Sequence, residues 1–187
     1  IYGLHRLPNL VHPDDFDDKV LEIPMHLYSI ASPKANRWTG MMIQRFLSSR
    51  SPKWEFRPDP ESSNLRNPKI LIRIVGQGQE YLPTNAKPVG RRQWDFGLVL
   101  RGPSPIDAHY MFMAMAGRSS LGTEAACLAT TDPDCARKLL MALRFKGIDP
   151  DDHKAAFCAV VSMECDQRGF QYGYDPQTFQ VPDVVAY

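Results

Sequence analysis

No uninterrupted apolar stretch in this 187-residue chain approaches the roughly 18–20 residues that a membrane-spanning helix requires. The longest, around 111–116 and 155–161, are strand-sized. A transmembrane helix is excluded on that ground. No basic region followed by an apolar core opens the chain, which starts at Ile1, so no targeting peptide is read and a piece of a longer protein is expected. Cysteine is scarce: Cys127, Cys135, Cys158 and Cys165 form no C-x-x-C pair and no zinc-ligand spacing. A structural metal is therefore not expected, and Cys127 and Cys158, lying in apolar stretches, read as small buried hydrophobes of a reduced, cytosolic protein. Two phosphate-binding signatures are also missing. No Lys-[Ser/Thr] follows Gly122, which removes a Walker loop. Gly76-Gln77-Gly78 matches only the first three positions of a dinucleotide fingerprint.

Net charge is nearly absent as well, at +1 from 22 basic and 21 acidic side chains. The balance conceals a polarity, because 34–92 holds 12 basic and 4 acidic residues. Such a surface attracts an anionic ligand or polyanion, or simply forms a solvated basic face.

What is present reads as alternating strands and helices. The first 25 residues, with Pro8, Pro13, Pro24 and an acidic cluster at Asp14, Asp15, Asp17 and Asp18, are expected to be a lead-in. One domain over 26–187 is expected to follow. A short strand (26–31) leads through Ser32-Pro33-Lys34-Ala35-Asn36 into a helix over 38–47. Prolines punctuate the next stretch, leaving a brief apolar alternation at 54–56 and a strand at 70–75. DFGLVL (95–100) is a clear strand, stopped by Gly102-Pro103-Ser104-Pro105. The almost wholly apolar HYMFMAMA (109–116) suits a central strand covered on both faces. Ser119, Ser120 and Thr123 offer caps to a helix containing Glu124, Ala125, Ala126, Leu128 and Ala129. A further helix is predicted over 133–145, with Asp132 as N-cap, Pro133 at the first helical position and Gly147 beyond the end. A strand at 155–163 then leads into a polar tail, 164–187. The pattern predicts a layered α/β domain with a mostly parallel sheet of about five strands flanked by helices.

In parallel sheets ligands bind beyond the carboxyl ends of the strands. Ser32, Lys34, Asn36 and Arg37 therefore combine hydrogen-bonding groups and charge with a helix start, an anion-friendly arrangement; the blander alternative is that Asn36 only caps the helix. Arg118, Ser119, Ser120, Gly122 and Thr123 form a glycine-bounded, hydroxyl-rich turn able to cradle phosphate or carboxylate, or else a capped helix with Glu124 complementing its dipole. Arg101 is expected near both loops, clamping an oxyanion or making a rim ion pair with Glu124 or Asp107. His109 and His153 lack a neighbouring nucleophile or carboxylate in a triad pattern. Trp38, Trp54, Tyr81 and Trp94 could stack on a base, with core packing the commoner use.

These two strand-loop-helix units, HLYSIASPKANRWT and DFGLVLRGPSP…HYMFMAMAGRSSLGTEAA, resemble Rossmann-like ligand-sensing domains of multidomain bacterial proteins. The similarity rests on Ala31-Ser32-Pro33 with Asn36, where alanine replaces glycine, and on Ala116-Gly117, Gly122-Thr123 and Ala125-Ala126. It spans roughly residues 26–130 and implies a Rossmann-like regulatory domain attached to another module. The leading expectation is a domain that senses a small anionic, nucleotide-like molecule at residues 32–36, 101–105 and 117–124, with no cofactor. A glycosidase or transferase using Glu124 on a nucleotide-like substrate is the enzymatic alternative. The third is a protein-interaction module docking on a partner protein or on other domains of the same chain through the proline-rich stretch 52–92. Nucleic acid is disfavoured by a pI near 7.9 and the absence of any aromatic-basic motif.

Overall fold

The computed structural model describes residues 25–31, 33, 36–51, 53–58, 70–74, 80–81, 92–117, 119–168, 171–174 and 176–187. The main sheet is built on β5 (Arg92–Pro103), flanked by β6 (Met111–Gly117) and β7 (Phe157–Arg168). Beyond β6 lies β1 (Leu27–Ile30), and beyond β7 lie β8 (Gln171–Tyr174) and β9 (Gln180–Ala186) on successive stretches of its edge. Six strands thus occupy five lateral positions. Among the described residues only β1 and β6 run parallel; every other pairing in this sheet is antiparallel.

The sheet is therefore mixed and mostly antiparallel, which overturns the expected mostly parallel Rossmann-like architecture. The reason is visible between β5 and β6. Only residues 104–110 join them, closed by Ser104 N–H to Tyr110 O (2.8 Å) and Tyr110 N–H to Asp107 O (3.0 Å). A parallel crossover needs about a dozen residues or more, so this connection makes a hairpin. Continuous apolar character in β6 and β7 comes from burial on both faces and carries no information about direction.

Side chains alternate strictly across the three central strands. Leu98, Leu100, Phe112, Ala114, Ala116, Cys158 and Val160 face one layer, while Val99, Met115, Phe157, Ala159 and Val161 face the other. The first layer holds α1 (Arg37–Leu47) and a separate antiparallel sheet of β2 (Trp54–Pro58), β3 (Ile70–Ile74) and β4 (Glu80–Tyr81), with Met42, Ile43, Phe46, Leu47, Trp54 and Ile72 in its core. The second layer holds α2 (Ser120–Thr131) and α3 (Pro133–Phe145). Helix α3 has the predicted bounds: Asp132 Oδ1 accepts from Asp134 N–H (3.0 Å) and Cys135 N–H (2.9 Å), and Gly147 takes φ 74° past the end.

The polar tail contains β8, a 3-10 turn at Pro176–Thr178 and β9. Pro182 interrupts β9 without breaking the sheet, because β9 pairs with β7 and the register slips between Val160 and Ser162 there. Such a bulge on an outer strand tolerates a residue without an N–H. Among the described residues no helix is long and apolar enough to cross a membrane.

Candidate functional site

Strands β1 and β6 are parallel neighbours, in register from Leu27 opposite Phe112 to Ile30 opposite Met115. The chain leaves β1 for α1 in one layer and leaves β6 for α2 in the other. Two adjacent parallel strands whose connections diverge to opposite faces open a crevice at their carboxyl ends. This mouth is the candidate site. Ala31 N–H, bonded to Met115 O at 3.2 Å, marks where the two loops separate.

On the α1 side Asn36 is extended (φ −135°, ψ 108°), and its Oδ1 accepts from Trp38 N–H (2.9 Å) and Thr39 N–H (3.4 Å). Buried Thr39 shares a 2.6 Å hydrogen bond with Ser29, which ties the helix start to β1. Arg37 is exposed, with its guanidinium 5.2 Å from the Trp38 ring centroid. Asn36 thus spends its carbonyl oxygen on the helix, whereas Arg37 is turned to solvent. Ser32 and Lys34 lie outside the described residues.

On the α2 side the glycine-rich turn is already filled. Asp95, at 4% exposure, accepts from the Ser119 hydroxyl, from Gly122 N–H at 3.2 Å and from Phe96 N–H at 2.9 Å. Ser119 Oγ in turn accepts from Leu121 N–H (3.1 Å), and Thr123 Oγ1 donates to Ser119 O while accepting from Gly117 N–H, both at 3.0 Å. The positive end of α2 therefore holds a carboxylate of the chain itself, and the expected phosphate cradle is a self-capped helix start. Its glycines serve contact. A Cβ on Gly97 would lie 2.1 Å from Gly122 O, and one on Gly117 1.9 Å from Thr123 N, so α2 presses on β5 and β6 backbone to backbone. Ser120 is exposed at the mouth, and Arg118 lies outside the described residues.

Asp95 is the residue that inspection of the sequence missed. Its signal was an acidic residue directly ahead of the apolar run 96–100, but its partners lie 24 and 27 positions away.

Two further expectations are corrected. Arg101 sits at the end of β5 remote from the mouth, because β5 runs antiparallel to β6 and Gly97, not Arg101, pairs with Gly117. It ties down the turn ahead of β7 by donating to Pro150 O (2.6 Å) and Asp152 O (3.2 Å), with Met111 Sδ 3.2 Å from its Nε, and pairs with neither Glu124 nor Asp107. Glu124 lies a full turn inside α2 rather than in its first turn. Its field adds to the burial that raises the Cys127 thiol pKa. Burial, helped by Asp132, pushes Cys135 up to about 11, and burial holds Cys158 well above the ordinary thiol range. These thiols are protonated at neutral pH and are poor nucleophiles.

His109 is exposed and 2.8 Å from Asp107, whose carboxyl is held below its usual range chiefly by the His109 backbone N–H. His153 is likewise exposed, 3.9 Å from Asp152. Of the aromatics, Trp54 is in the core, Trp38 packs against it and Trp94 is half-buried; the Tyr81 side chain lies outside the described set. Among the described residues no three His, Cys, Asp or Glu side chains gather as metal ligands. No protein family, no curated protein and no solved structure matches the chain significantly.

Proposed function

We propose that this chain is a regulatory domain that binds a small anionic, nucleotide-like molecule at the mouth formed by the carboxyl ends of β1 and β6. The observation that carries the reading is the parallel β1–β6 pair with α1 and α2 departing to opposite faces. Both helix starts are satisfied internally, by Asn36 and by Asp95, so the anion is met by side chains. Exposed Arg37 and Ser120 border the mouth, and Lys34 and Arg118 belong to the same two loops in sequence. Glu124 lies beyond the first turn of α2 and is not part of this reading. The free thiols Cys127, Cys135 and Cys158 support a reducing, cytosolic setting for this function.

Thermal-shift and calorimetric titration with inorganic phosphate, mononucleotides and nicotinamide dinucleotides tests the reading. A one-to-one ligand is expected whose binding is lost in Arg37→Glu and retained in Arg101→Met, which alters the far end of β5. Equal binding by Arg37→Glu and wild type, or no ligand in the panel, would remove the mouth as an anion site.

A further inference from the structure

A second concavity lies between α1 and β2 and reaches Pro33 of the loop that follows β1. It is a cleft of about 540 Å³ whose walls include Gly40, Ile43 and Leu47 of α1 and Trp54 and Phe56 of β2. Its floor is closed core, since Ile43, Leu47 and Trp54 are 5%, 3% and 3% exposed. Its rim is polar, with Gln44, Ser48 and Lys53 all exposed. An apolar floor with a few polar groups at the edge, in a volume between roughly 300 and 1,000 Å³, is the form that small-molecule sites take.

We infer that this cleft binds a planar aromatic anion, such as an aryl carboxylate, sulfonate or phosphate. Phe56, partly exposed in the wall above the Trp54 floor, favours a ring, which gains from aromatic contact as well as from leaving water. Gly40 leaves the α1 wall without a side chain; a Cβ there would already stand 3.3 Å from the Pro33 Cβ. The charge preference comes from Lys53. Glu55, which also lines the cleft, already has a partner, whereas Lys53 has none among the described residues and is exposed. A ring bearing a negative group therefore meets both the floor and the rim. This inference does not depend on the mouth proposal, because the residues that carry it are different.

The test uses the whole chain and 8-anilinonaphthalene-1-sulfonate as probe, followed by dye fluorescence and calorimetry, with near-UV circular dichroism to confirm the native fold. Saturable one-to-one binding is expected. Lys53→Glu should weaken it up to about fivefold, the range of one partly exposed charge pair. Gln44→Phe, at an exposed helical position, should fill the cleft and abolish binding while leaving the melting temperature close to wild type. Arg37→Glu should bind the dye normally, which separates this site from the mouth. Failure to saturate, absence of binding, or wild-type affinity in both Lys53→Glu and Gln44→Phe would overturn the assignment.

Discussion

Truncating Asp95 to alanine removes the one charged side chain among the described residues that is buried, and with it the acceptor for three donors on two elements. The half-buried Ser119 hydroxyl can turn toward water, but the Gly122 N–H is buried against β5 and has no such escape. A buried donor left unsatisfied costs about 1–3 kcal/mol. The loss of a negative group at the start of α2 adds about 0.3–1 kcal/mol. Relief of the carboxylate's own desolvation offsets part of this, since burying a charge is itself unfavourable. A net loss of about 2 kcal/mol is expected. At roughly 2–4 °C per kcal/mol for a chain of this length, the melting temperature should fall by about 4–8 °C. Asp95→Asn keeps one acceptor oxygen and should fall between wild type and Asp95→Ala. Urea denaturation followed by circular dichroism supplies the free energies. The double variant with Ser119→Ala should show a coupling of about 0.5–3 kcal/mol, as expected for groups in direct contact. An Asp95→Ala protein within about 1 kcal/mol of wild type, or strict additivity with Ser119→Ala, would refute the view that this carboxylate holds α2 on the sheet.

The close approach of α2 makes its own prediction. Gly97→Ala and Gly122→Ala should each cost at least the roughly 1–3 kcal/mol of an overpacked core, because the new methyl meets backbone 2.1 Å away; soluble yield and urea midpoints check this. Arg101→Met should lose about 1–2 kcal/mol with the bonds to Pro150 O and Asp152 O and should speed proteolytic cleavage within 149–154, leaving mouth ligands unaffected. Asp132→Ala should lower the melting temperature at pH 7. The Asp132 carboxyl is held below its usual range by the Cys135 and Asp134 N–H groups, so its contribution is complete above the unfolded carboxylate value near 3.9 and is lost as pH falls through the lower folded value. The melting difference between wild type and Asp132→Ala should therefore close on acidification. A difference that persists to pH 2 would contradict the cap as its cause.

Much of this molecule was readable in short windows of sequence. Asn36 ahead of an apolar helical pattern, and Asp132-Pro133 with Gly147 beyond the last turn, marked α1 and α3, because caps and glycine ends act over four or five residues. The apolar run of β6 announced a strand covered on both faces, and that of β7 announced a strand; both are buried on two sides. The second loop was recognisable as a helix start but not as one already occupied. Its anion is Asp95, which the chain delivers from β5 across two strands' worth of intervening sequence. β9 was hidden because its one neighbour accepts a polar, proline-containing strand through a bulge.

Strand direction was the decisive gap. An apolar period of two specifies which side chains are buried, and it is identical whether a neighbour runs parallel or antiparallel. Direction depends on how far each connection can reach and on which strands meet after closure. The tight β5–β6 hairpin settled both, sending Arg101 to the far end of the sheet and leaving β1 and β6 as the single parallel pair. Local sequence thus determined the elements and their buried faces, because propensity and capping are short-range. Only the tertiary structure decided where the mouth lies and which charges border it, because those follow from pairings between residues as distant as Leu27 and Phe112.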